Sequence, residues 1–323
     1  MGLKIIGTGS KLPKHSVSNE ELAAFLNTSD EWITSKTGIK ARGVCTDENL
    51  LDLAEGAALL ALSRAGTQLE EIDMIIGATM TTDYVMPSLA CCLLERLNTC
   101  FGTSHICPAV DVNAACSGFI YALDAADSAI KAGKADKILI ISAEMMSRMV
   151  DWRDRTSSIL FGDGASACVV ERGQNLKHIR ATADAQVRAL FAKAGRGNNP
   201  FMGSEVPAGF LEMQGQQVYK FAVKTIEHEI HFALSALDIK AEDVDYFILH
   251  QANTRIIDGA RARLKLPPEK FPMNIKNHGN MSAASIPVLL DEMVQSGQIK
   301  PGNLLMMIGF GAGMTAGCAV LEW

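Results

Sequence analysis

Short apolar runs rich in β-branched residues alternate with longer amphipathic segments along this chain. In order, these segments are KIIGTG, ENLLDLAEGAALLALSRAG, IDMIIGATM, PSLACCLLERL, AVDVNAA, SGFIYALDAADSAIKAG and KILIISAE. Short β-branched runs favour strands, and apolar residues spaced three or four apart favour helices that pack on one face. The alternation therefore predicts an α/β fold with a largely central sheet.

The second half of the chain repeats this pattern with the segments YKFAVKTIEHEIHFALSAL, VDYFILHQAN, TRIIDGARARL, SIPVLLDEMVQSG and NLLMMIGFGAG. Two similar halves that meet near residues 170–180 are the natural division, and we place them at residues 1–175 and 176–323. The Gly-, Asn- and Pro-containing stretch GRGNNP (195–200) predicts a surface loop.

Size and charge exclude several classes of protein. The 323 residues are 48% hydrophobic and 20% charged, which suits a large buried core and excludes a disordered chain or a small disulfide scaffold. The net charge is −6 without a basic block, so nucleic acid is not an expected partner. MGLKIIGTGSKLP lacks the features of a secretory signal, and KILIISAEMM is shorter than the ~20 residues of a spanning helix. We therefore expect a cytoplasmic protein with no membrane part.

The eight cysteines form no CxxC pair and mostly sit among apolar residues, as is typical of reduced, buried thiols. The sequence has neither an HExxH motif nor His and Cys clustered at zinc spacing, so no metal site is predicted. Seven of the eight are interpreted as small buried apolar side chains: Cys45, Cys91, Cys92, Cys100, Cys107, Cys168 and Cys318.

Cys116 differs from the others because it lies between a predicted strand, AVDVNAA, and a predicted helix that begins with SGF. Unpaired backbone N–H groups and the positive end of the helix dipole favour a thiolate at such a turn. Ser117 and Gly118 leave the backbone room to approach a ligand. We therefore favour a nucleophile at Cys116 over a small buried side chain.

His250 and Asn280 are candidates for the same site. His250 ends the apolar run VDYFIL, and ligand sites in α/β sheets gather at the carboxyl ends of strands. Asn280 lies in NHGNMSAASIP, where its amide can donate a hydrogen bond without titrating, although this segment taken alone could be only a tight turn. Placed on three separate strand ends, Cys116, His250 and Asn280 suit covalent thioester chemistry, in which hydrogen-bond donors hold developing negative charge. The glycine-rich GFGAGMT (309–315) supplies a backbone that can approach an oxyanion.

Five segments, DVNAACSGF, LFGDGASA, HQANTRI, NHGNMSAASIP and GFGAGMTAG, together with TSDEWITSKTGI, resemble the β-ketoacyl-acyl carrier protein synthase III family. The resemblance covers nearly the whole chain in family order. It implies a thiolase-like, five-layered α/β/α/β/α fold made of two pseudo-repeated halves, and a homodimer. It also implies a ping-pong acyltransferase that condenses an acyl-CoA primer with malonyl-acyl carrier protein to start fatty acid synthesis, with acyl-CoA as substrate and no cofactor.

Under this resemblance, Cys116 matches the acylated nucleophile. His250 and Asn280 match the pair that stabilises the enolate formed when malonyl-acyl carrier protein loses CO₂. Elongating synthases have a second histidine where this chain has Asn280, which points to the initiating, CoA-primed class. The backbone N–H groups of Cys116 and Ala312 match the oxyanion donors, and Phe310 matches the aromatic residue near the nucleophile.

The resemblance also assigns binding residues for CoA. Trp32 and Arg155 match the pair that flanks the adenine, and Asn253 and Gly215 match positions that line the pantetheine tunnel. Lys36 stands where the family's WIxxRTGI has an arginine, so it keeps the charge but lacks the planar fork that grips phosphate.

Arg255 matches the residue that attracts the acidic carrier protein, with Lys220 and Arg263 as possible neighbours on the same face. The ordinary alternative for a charge on a helix is a solvated surface residue.

Several departures from the family pattern concern the acyl pocket. Met86 stands at an often aromatic position that reaches across the dimer to close the partner's pocket, and methionine is an adaptable filler. Met281 stands where threonine is common, Ala312 replaces a glycine and Ala316 replaces a tryptophan. A primer longer or more branched than acetyl is compatible with these changes.

Three other functions remain open at this stage. A related acyltransferase of the same fold could pass the acyl group to a different acceptor in secondary metabolism. A catalytically silent partner subunit would lack the nucleophile, whereas Cys116 is present. An unrelated Cys-His-Asn hydrolase lacks support because the cysteine has no CGSCW-type setting.

Overall fold

Two mixed β-sheets, covered and separated by helices, make up residues 2–195 and 208–323, the part of the chain that the computed structural model describes. Residues 196–207, which include most of the predicted GRGNNP loop, lie outside the described residues. The strands are β1 (Gly2–Lys11), β2 (Ser16–Ser18), β3 (Ala41–Gly43), β4 (Met74–Ala78), β5 (Ala109–Val112), β6 (Lys137–Met145), β7 (Asp163–Gly173), β8 (Leu176–Ala183), β9 (Leu190–Phe191), β10 (Glu212–Met213), β11 (Tyr246–Leu249), β12 (Leu304–Gly311) and β13 (Thr315–Glu322). The helices are α1 (Asn19–Ala23), α2 (Asp30–Thr37), α3 (Leu50–Ala65), α4 (Leu89–Phe101), α5 (Gly118–Lys131), α6 (Gly215–Leu237), α7 (Thr254–Leu264), α8 (Ile275–His278) and α9 (Ser285–Gln295).

The first sheet has the strand order β1-β7-β6-β4-β5, and the second has the order β11-β12-β13-β8. Each combines parallel and antiparallel pairs: β4 runs parallel to β5 and β6, and β11 runs parallel to β12, while the remaining pairs are antiparallel. Strands β9 and β10 form a separate two-stranded ribbon, as do β2 and β3.

Alternating side chains on the strands place each sheet between two helical layers. On β6, Ile138 and Ile140 face the central helices α5 and α9, whereas Leu139 and Ile141 face α3 and α4. On β12, Leu305 and Met307 face the same central helices, and the intervening side chains face α6 and α7. Because successive side chains of a strand point to opposite faces, apolar runs without polar alternation are what a doubly covered sheet requires. The predicted five-layered α/β/α/β/α fold is confirmed.

Local signals in the sequence account for the ends of the helices. In α3, Asn49 caps the first turn and accepts a hydrogen bond from the backbone N–H of Asp52, whose carboxylate accepts one from Asn49 N–H in return. The helix ends at Gly66, which has a φ of 60°. This left-handed conformation is one that glycine adopts without steric cost.

The boundary between the two sheets falls in the short connection from β7 to β8. Strands of the first sheet end at Gly173, and those of the second begin at Leu176. The division into halves at residues 1–175 and 176–323 agrees with this connection and stays a prediction about domains. Within the described residues, no helix combines the length and apolarity needed to cross a bilayer.

Candidate active site

A cavity of about 210 Å³ between the two sheets brings Cys116, His250 and Asn280 together. Most of its wall is apolar, and the side chains that form this wall include Met80, Met146, Met149, Leu160, Phe161, Leu190, Leu211, Met213 and Phe310. A largely apolar cavity with a few convergent polar groups is the usual form of a small-molecule site. The three residues singled out from the sequence are among the polar groups that line it, together with Tyr219 and Asn253.

Cys116 lies in a helical turn, Ala115–Ser117, between β5 and α5. Ala115 has a φ of 48°, in the left-handed region that non-glycine residues rarely occupy. The hydroxyls of Ser117 and Thr315 are 2.7 Å apart, and they approach the Ala114 carbonyl to 2.7 and 2.9 Å. These bonds tie the cysteine turn to the beginning of β13. The predicted strand-to-helix position of Cys116 is confirmed.

The expectation that this turn favours the thiolate is wrong for the free protein. Burial raises the pKa of Cys116 to about 12, a nearby hydroxyl from Ser282 opposes the rise, and the carboxyl of Glu144 adds to it. The backbone N–H at the helix start lowers the pKa less than burial raises it. At this buried position Cys116 is a thiol at neutral pH, so any attack by its sulfur would require a proton acceptor.

Glycines of β12 let the second sheet approach Cys116 closely. A Cβ added at Gly311 would lie 2.6 Å from the backbone N of Cys116 and 3.1 Å from its Cβ. A Cβ at Gly309 would lie 2.9 Å from the Cα of Ser117. Gly309 and Gly311 are therefore required by close packing, since a side chain at either position would displace the cysteine turn.

Gly311→Ala is expected to lower the free energy of unfolding by about 1–3 kcal/mol, because the new methyl group overpacks the turn. Displacement of Cys116 by a fraction of an ångström is also expected to slow its acylation by about 10-fold or more. Gly56→Ala on α3 is the matched control, because its added Cβ meets only the flexible side chain of Lys11. Thermal unfolding and single-turnover acylation check both effects, and a Gly311→Ala variant as stable and as fast as the control would contradict them.

His250 follows the last residue of β11, as the sequence predicts, and its backbone N–H donates to the Ile308 carbonyl at 2.9 Å. The side chain is 1% exposed, and its ring meets Phe310 edge to face at 5.1 Å. Burial lowers the pKa of His250 to about 3, so the imidazole is neutral at physiological pH. Among the described residues, Nδ1 has no hydrogen-bond partner.

Asn280 lies in a loop between α8 and α9 and bridges Phe161 through its backbone. The expectation that all three residues occupy strand ends is therefore wrong for Asn280. Its Oδ1 accepts a hydrogen bond from the backbone N–H of Ser282 at 2.8 Å. Because a backbone N–H must bind the oxygen of the carboxamide, this bond leaves the amide NH₂ available as a donor.

Gln251 fixes His250 relative to Asn280, a role that the sequence reasoning missed. Gln251 is fully buried, and its Nε2 donates to the Leu249 carbonyl at 2.8 Å. Its Oε1 accepts from the backbone N–H of Asn274 at 3.2 Å, at the start of the segment that leads to Asn280. A polar residue immediately after a buried strand was the available signal.

The residues predicted for the oxyanion site and acyl pocket fall in two places. Ala312 and Phe310 line the cavity beside Cys116 and His250. Met86 is 85% exposed, next to a fully exposed Val85, and lies outside the lining of the described cavity. Its contribution to a partner's pocket stays a prediction.

The residues predicted for CoA line the cavity mouth and the helix next to it. Gly215 and Asn253 line the cavity, and Asn253 Nδ2 donates to the Lys36 carbonyl of α2 at 3.1 Å. On the same helix, the Trp32 ring lies under the Arg155 guanidinium, 5.0 Å from its centroid. Trp32 and Arg155 therefore contact each other directly, and their role in flanking the adenine stays a prediction. Asn253 links α2 to the cavity through its hydrogen bond to Lys36.

The three predicted carrier-protein residues have different surroundings. Arg255 is exposed, and its guanidinium donates to the Ser35 carbonyl at 2.8 Å. Lys220 lines an open groove together with Lys224. Arg263 pairs with Glu227 at 2.6 Å, so much of its charge is already compensated within the protein.

All eight cysteines fall within the described residues and are free. The interpretation of seven of them as buried is confirmed for Cys168 and Cys318 only. Cys91 and Cys100 are exposed on α4, and three more are only partly buried: Cys45, Cys92 and Cys107. In residues 2–195 and 208–323, no group of three or more His, Cys, Asp or Glu side chains could hold a metal ion.

Comparison with known proteins gives the family. The family models for 3-oxoacyl-[acyl-carrier-protein] synthase III and its C-terminal region match residues 110–186 and 234–323. The β-ketoacyl-[acyl-carrier-protein] synthase III of Clostridium perfringens (strain SM101) is 45% identical over 99% of this chain and 98% of its own length. The solved 3-oxoacyl-[acyl-carrier-protein] synthase III of Aquifex aeolicus is 41% identical, with a TM-score of 0.90 over 100% of both chains. The Pseudomonas aeruginosa structure is 34% identical, with a TM-score of 0.90 over 100% of this chain and 98% of that chain. The chain therefore belongs to the β-ketoacyl-[acyl carrier protein] synthase III family.

Proposed function

We propose that this protein loads the acyl group of an acyl-CoA onto Cys116 and condenses it, with decarboxylation, with malonyl-acyl carrier protein to begin fatty acid synthesis. The observation that carries the proposal is the convergence of a thiol, a neutral imidazole and a carboxamide NH₂ donor on one largely apolar cavity. A member of this family with those three groups has the parts for both half-reactions.

In the first half-reaction, the Cys116 sulfur attacks the thioester carbonyl and CoA leaves as the thiol. The backbone N–H groups of Cys116 and Ala312 are our candidates for holding the oxyanion of the tetrahedral intermediate. The acyl chain then lies against the apolar wall, where Met80, Met146 and Met149 offer adaptable contacts. Such a wall accommodates primers of more than one shape.

In the second half-reaction, the malonyl thioester loses CO₂ and an enolate forms. Neutral His250 and the Asn280 amide would donate hydrogen bonds to the enolate oxygen in a largely apolar cavity. Neither donor is acidic enough to quench the carbanion early. The nucleophilic carbon then attacks the acyl-Cys116 thioester and expels the Cys116 sulfur as a thiolate, which releases the β-ketoacyl product. Uptake of one proton from solvent converts this thiolate back to the thiol, so the half-reaction consumes one proton.

The substrate-binding assignments extend from the cavity outward. Asn253 and Gly215 would line the pantetheine arm, and Trp32 with Arg155 would hold the adenine, with Lys36 near the phosphates. Arg255, with Lys220 and Arg263 as possible neighbours, would contact the acidic carrier protein. Arg255 is exposed and binds a carbonyl of α2, the same helix that Asn253 contacts. This position next to the cavity mouth supports the placement.

The test is the mass of the intact protein after incubation with a panel of acyl-CoAs, followed by a chase with malonyl-acyl carrier protein. An acyl increment that disappears in the chase as β-ketoacyl product forms is the expected result, and the panel names the primer. Acylation that malonyl-acyl carrier protein does not discharge would overturn the proposed acceptor. Failure of every acyl-CoA to add mass would overturn the proposed nucleophile.

We also propose that the protein is a cytoplasmic homodimer. In the described residues, β5 is an edge strand that pairs only with β4, and Val110 on it is 49% exposed. Ile106 is 90% exposed, Val85 is fully exposed and Met86 is 85% exposed. An unpaired edge with an apolar border favours pairing with a second copy. The eight free thiols suit a reducing compartment.

Val110→Lys is expected to convert the dimer to a monomer of 34.7 kDa, because a lysine side chain at a buried apolar interface is costly. Light scattering after gel filtration measures the mass. Val187→Lys is the matched control, since Val187 is 64% exposed and far along the chain from β5. An unchanged mass for Val110→Lys across dilution would contradict the proposed interface.

A further inference from the structure

Glu144 is a buried carboxyl that the two half-reactions above leave without a role. It lies at the end of β6, is fully buried, and was visible in the sequence as a charged residue inside the apolar run KILIISAEMM. Its Oε2 is held by the Thr81 hydroxyl at 2.6 Å, the Met80 N–H at 3.2 Å and the Thr79 hydroxyl at 3.4 Å. Among the described residues, its Oε1 has no hydrogen-bond partner.

Ser282 lies between this carboxyl and the nucleophile. Its turn, Ser282–Ala284, packs against both the cysteine turn and β6. Its hydroxyl lowers the pKa of Cys116 and also that of Glu144, which places it beside both groups. Among the described residues, Ser282 Oγ has no hydrogen-bond partner, so the hydroxyl can form a hydrogen bond with either neighbour.

The groups that most affect the pKa of Glu144 are hydroxyls and a backbone N–H, and no cation is among them. The loop after β4 contributes hydroxyls and an amide, and β7 places Gly164 opposite Glu144. Asp163 lies opposite Met145, on the other face of the sheet, where Cys45 and Ser147 N–H groups bind its carboxylate. The carboxyl of Glu144 acts on the Cys116 thiol and raises its pKa.

We propose that Glu144 accepts the thiol proton of Cys116 through the Ser282 hydroxyl and is thus a positioning residue for acylation. The S–H bond breaks as an O–H bond forms on Ser282, whose own proton moves to Glu144 Oε1. The electron pair stays on sulfur and attacks the thioester carbonyl. The proton returns by the same path to the departing CoA thiolate, so acylation as a whole neither consumes nor releases a proton.

Proton transfer to Glu144 is favoured over transfer to His250 because it creates no additional charges in the site. Protonation of His250 would create a cation and an anion together in a dry cavity, and burial lowers the pKa of His250 to about 3. Transfer to Glu144 only moves one negative charge from carboxylate to sulfur. Burial raises the pKa of Glu144 to about 7, so near neutral pH the carboxyl is poised to take up or return a proton.

This inference rests on Cys116 as the nucleophile, but its test does not use acyl-CoA. The rate of Cys116 alkylation by iodoacetamide is measured against pH by mass spectrometry of the Cys116 peptide. In the unmodified protein the rate is expected to rise as Glu144 ionises, through a pH of about 7, and then to level. Glu144→Gln and Ser282→Ala are each expected to remove this inflection and to slow alkylation at pH 8 by about 10²-fold.

A purely electrostatic role of Glu144 predicts the opposite sign. Glu144 raises the pKa of Cys116, so its neutral replacement would speed alkylation. Faster or unchanged alkylation in either variant overturns the proposal, and a double variant no slower than either single one supports a shared path. Ser142→Ala is the control, because it removes another buried hydroxyl of β6 and should keep the wild-type profile. Thermal unfolding of each variant identifies loss of fold, and if Glu144→Gln is unfolded the Ser282→Ala result decides.

Discussion

Cys116→Ala is expected to abolish the acyl adduct that wild-type protein forms with acyl-CoA, with a loss of at least about 10³-fold in acylation rate. The sulfur is the atom that would form the covalent bond. Of the residues that line the described cavity, none in this turn carries a hydroxyl or an amine that could replace it. Intact-protein mass after a fixed incubation measures the adduct. The variant should remain folded, because alanine retains the Cβ that packs against Gly311.

Cys168→Ala is the matched control, since Cys168 is equally buried but packs in the central core away from the cavity. It should lose some stability and keep its acylation. An adduct of normal mass on Cys116→Ala would show that another residue is the nucleophile. Loss of acylation in both variants would show that the effect comes from the fold.

Asn280→Ala is expected to separate the two half-reactions. Acylation of Cys116 should persist, whereas decarboxylation of malonyl-acyl carrier protein should fall by about 10²–10³-fold, because the enolate loses one hydrogen-bond donor. The acyl-enzyme should then accumulate in the intact-mass experiment and resist the chase. Asn274→Ala is the control, since Asn274 is a buried asparagine whose amide donates to Glu292. Equal loss of both half-reactions in Asn280→Ala would contradict an enolate-specific role.

Because His250 is neutral, we expect it to add no pH dependence to decarboxylation near neutral pH. A buried imidazole whose pKa is lowered to about 3 stays neutral as the pH rises from about 5 to 8, so it contributes no inflection to decarboxylation in that range. An inflection near pH 6.5 that disappears in His250→Gln would show that the imidazole is protonated during turnover. The rate of CO₂ release against pH makes the comparison.

Much of the fold could be predicted from local patterns. The alternation of β-branched runs with amphipathic segments is a property of neighbouring residues, and it anticipated β4, α5, β6 and β11 with their connecting turns. The turns after β5 and β11 followed from the same patterns, which is why the positions of Cys116 and His250 after a strand were predicted correctly. Asn280 was identified as a candidate but assigned to the wrong kind of element, because a tight loop and a strand end have similar compositions.

The properties that depend on distant parts of the chain could not be predicted. The proximity of Gly311 to Cys116 joins positions 195 residues apart, and no local pattern encodes that distance. Burial of the thiol by these approaching elements outweighs the local backbone effect on its pKa, which reversed the expected direction. Exposure of Cys91 and Cys100 likewise depends on which face of α4 packs inward.

The sequence by itself determined the fold class, the family and the three residue types of the site, since these follow from periodicity and from motifs that are contiguous in the chain. Only the tertiary structure decided the protonation states and supporting contacts. It placed Gln251, Ser282 and Glu144 near the candidate reactive groups and buried their side chains. Reactivity of a buried thiol depends on the solvation and charge around it, and those are set by the packing of segments far apart in the chain.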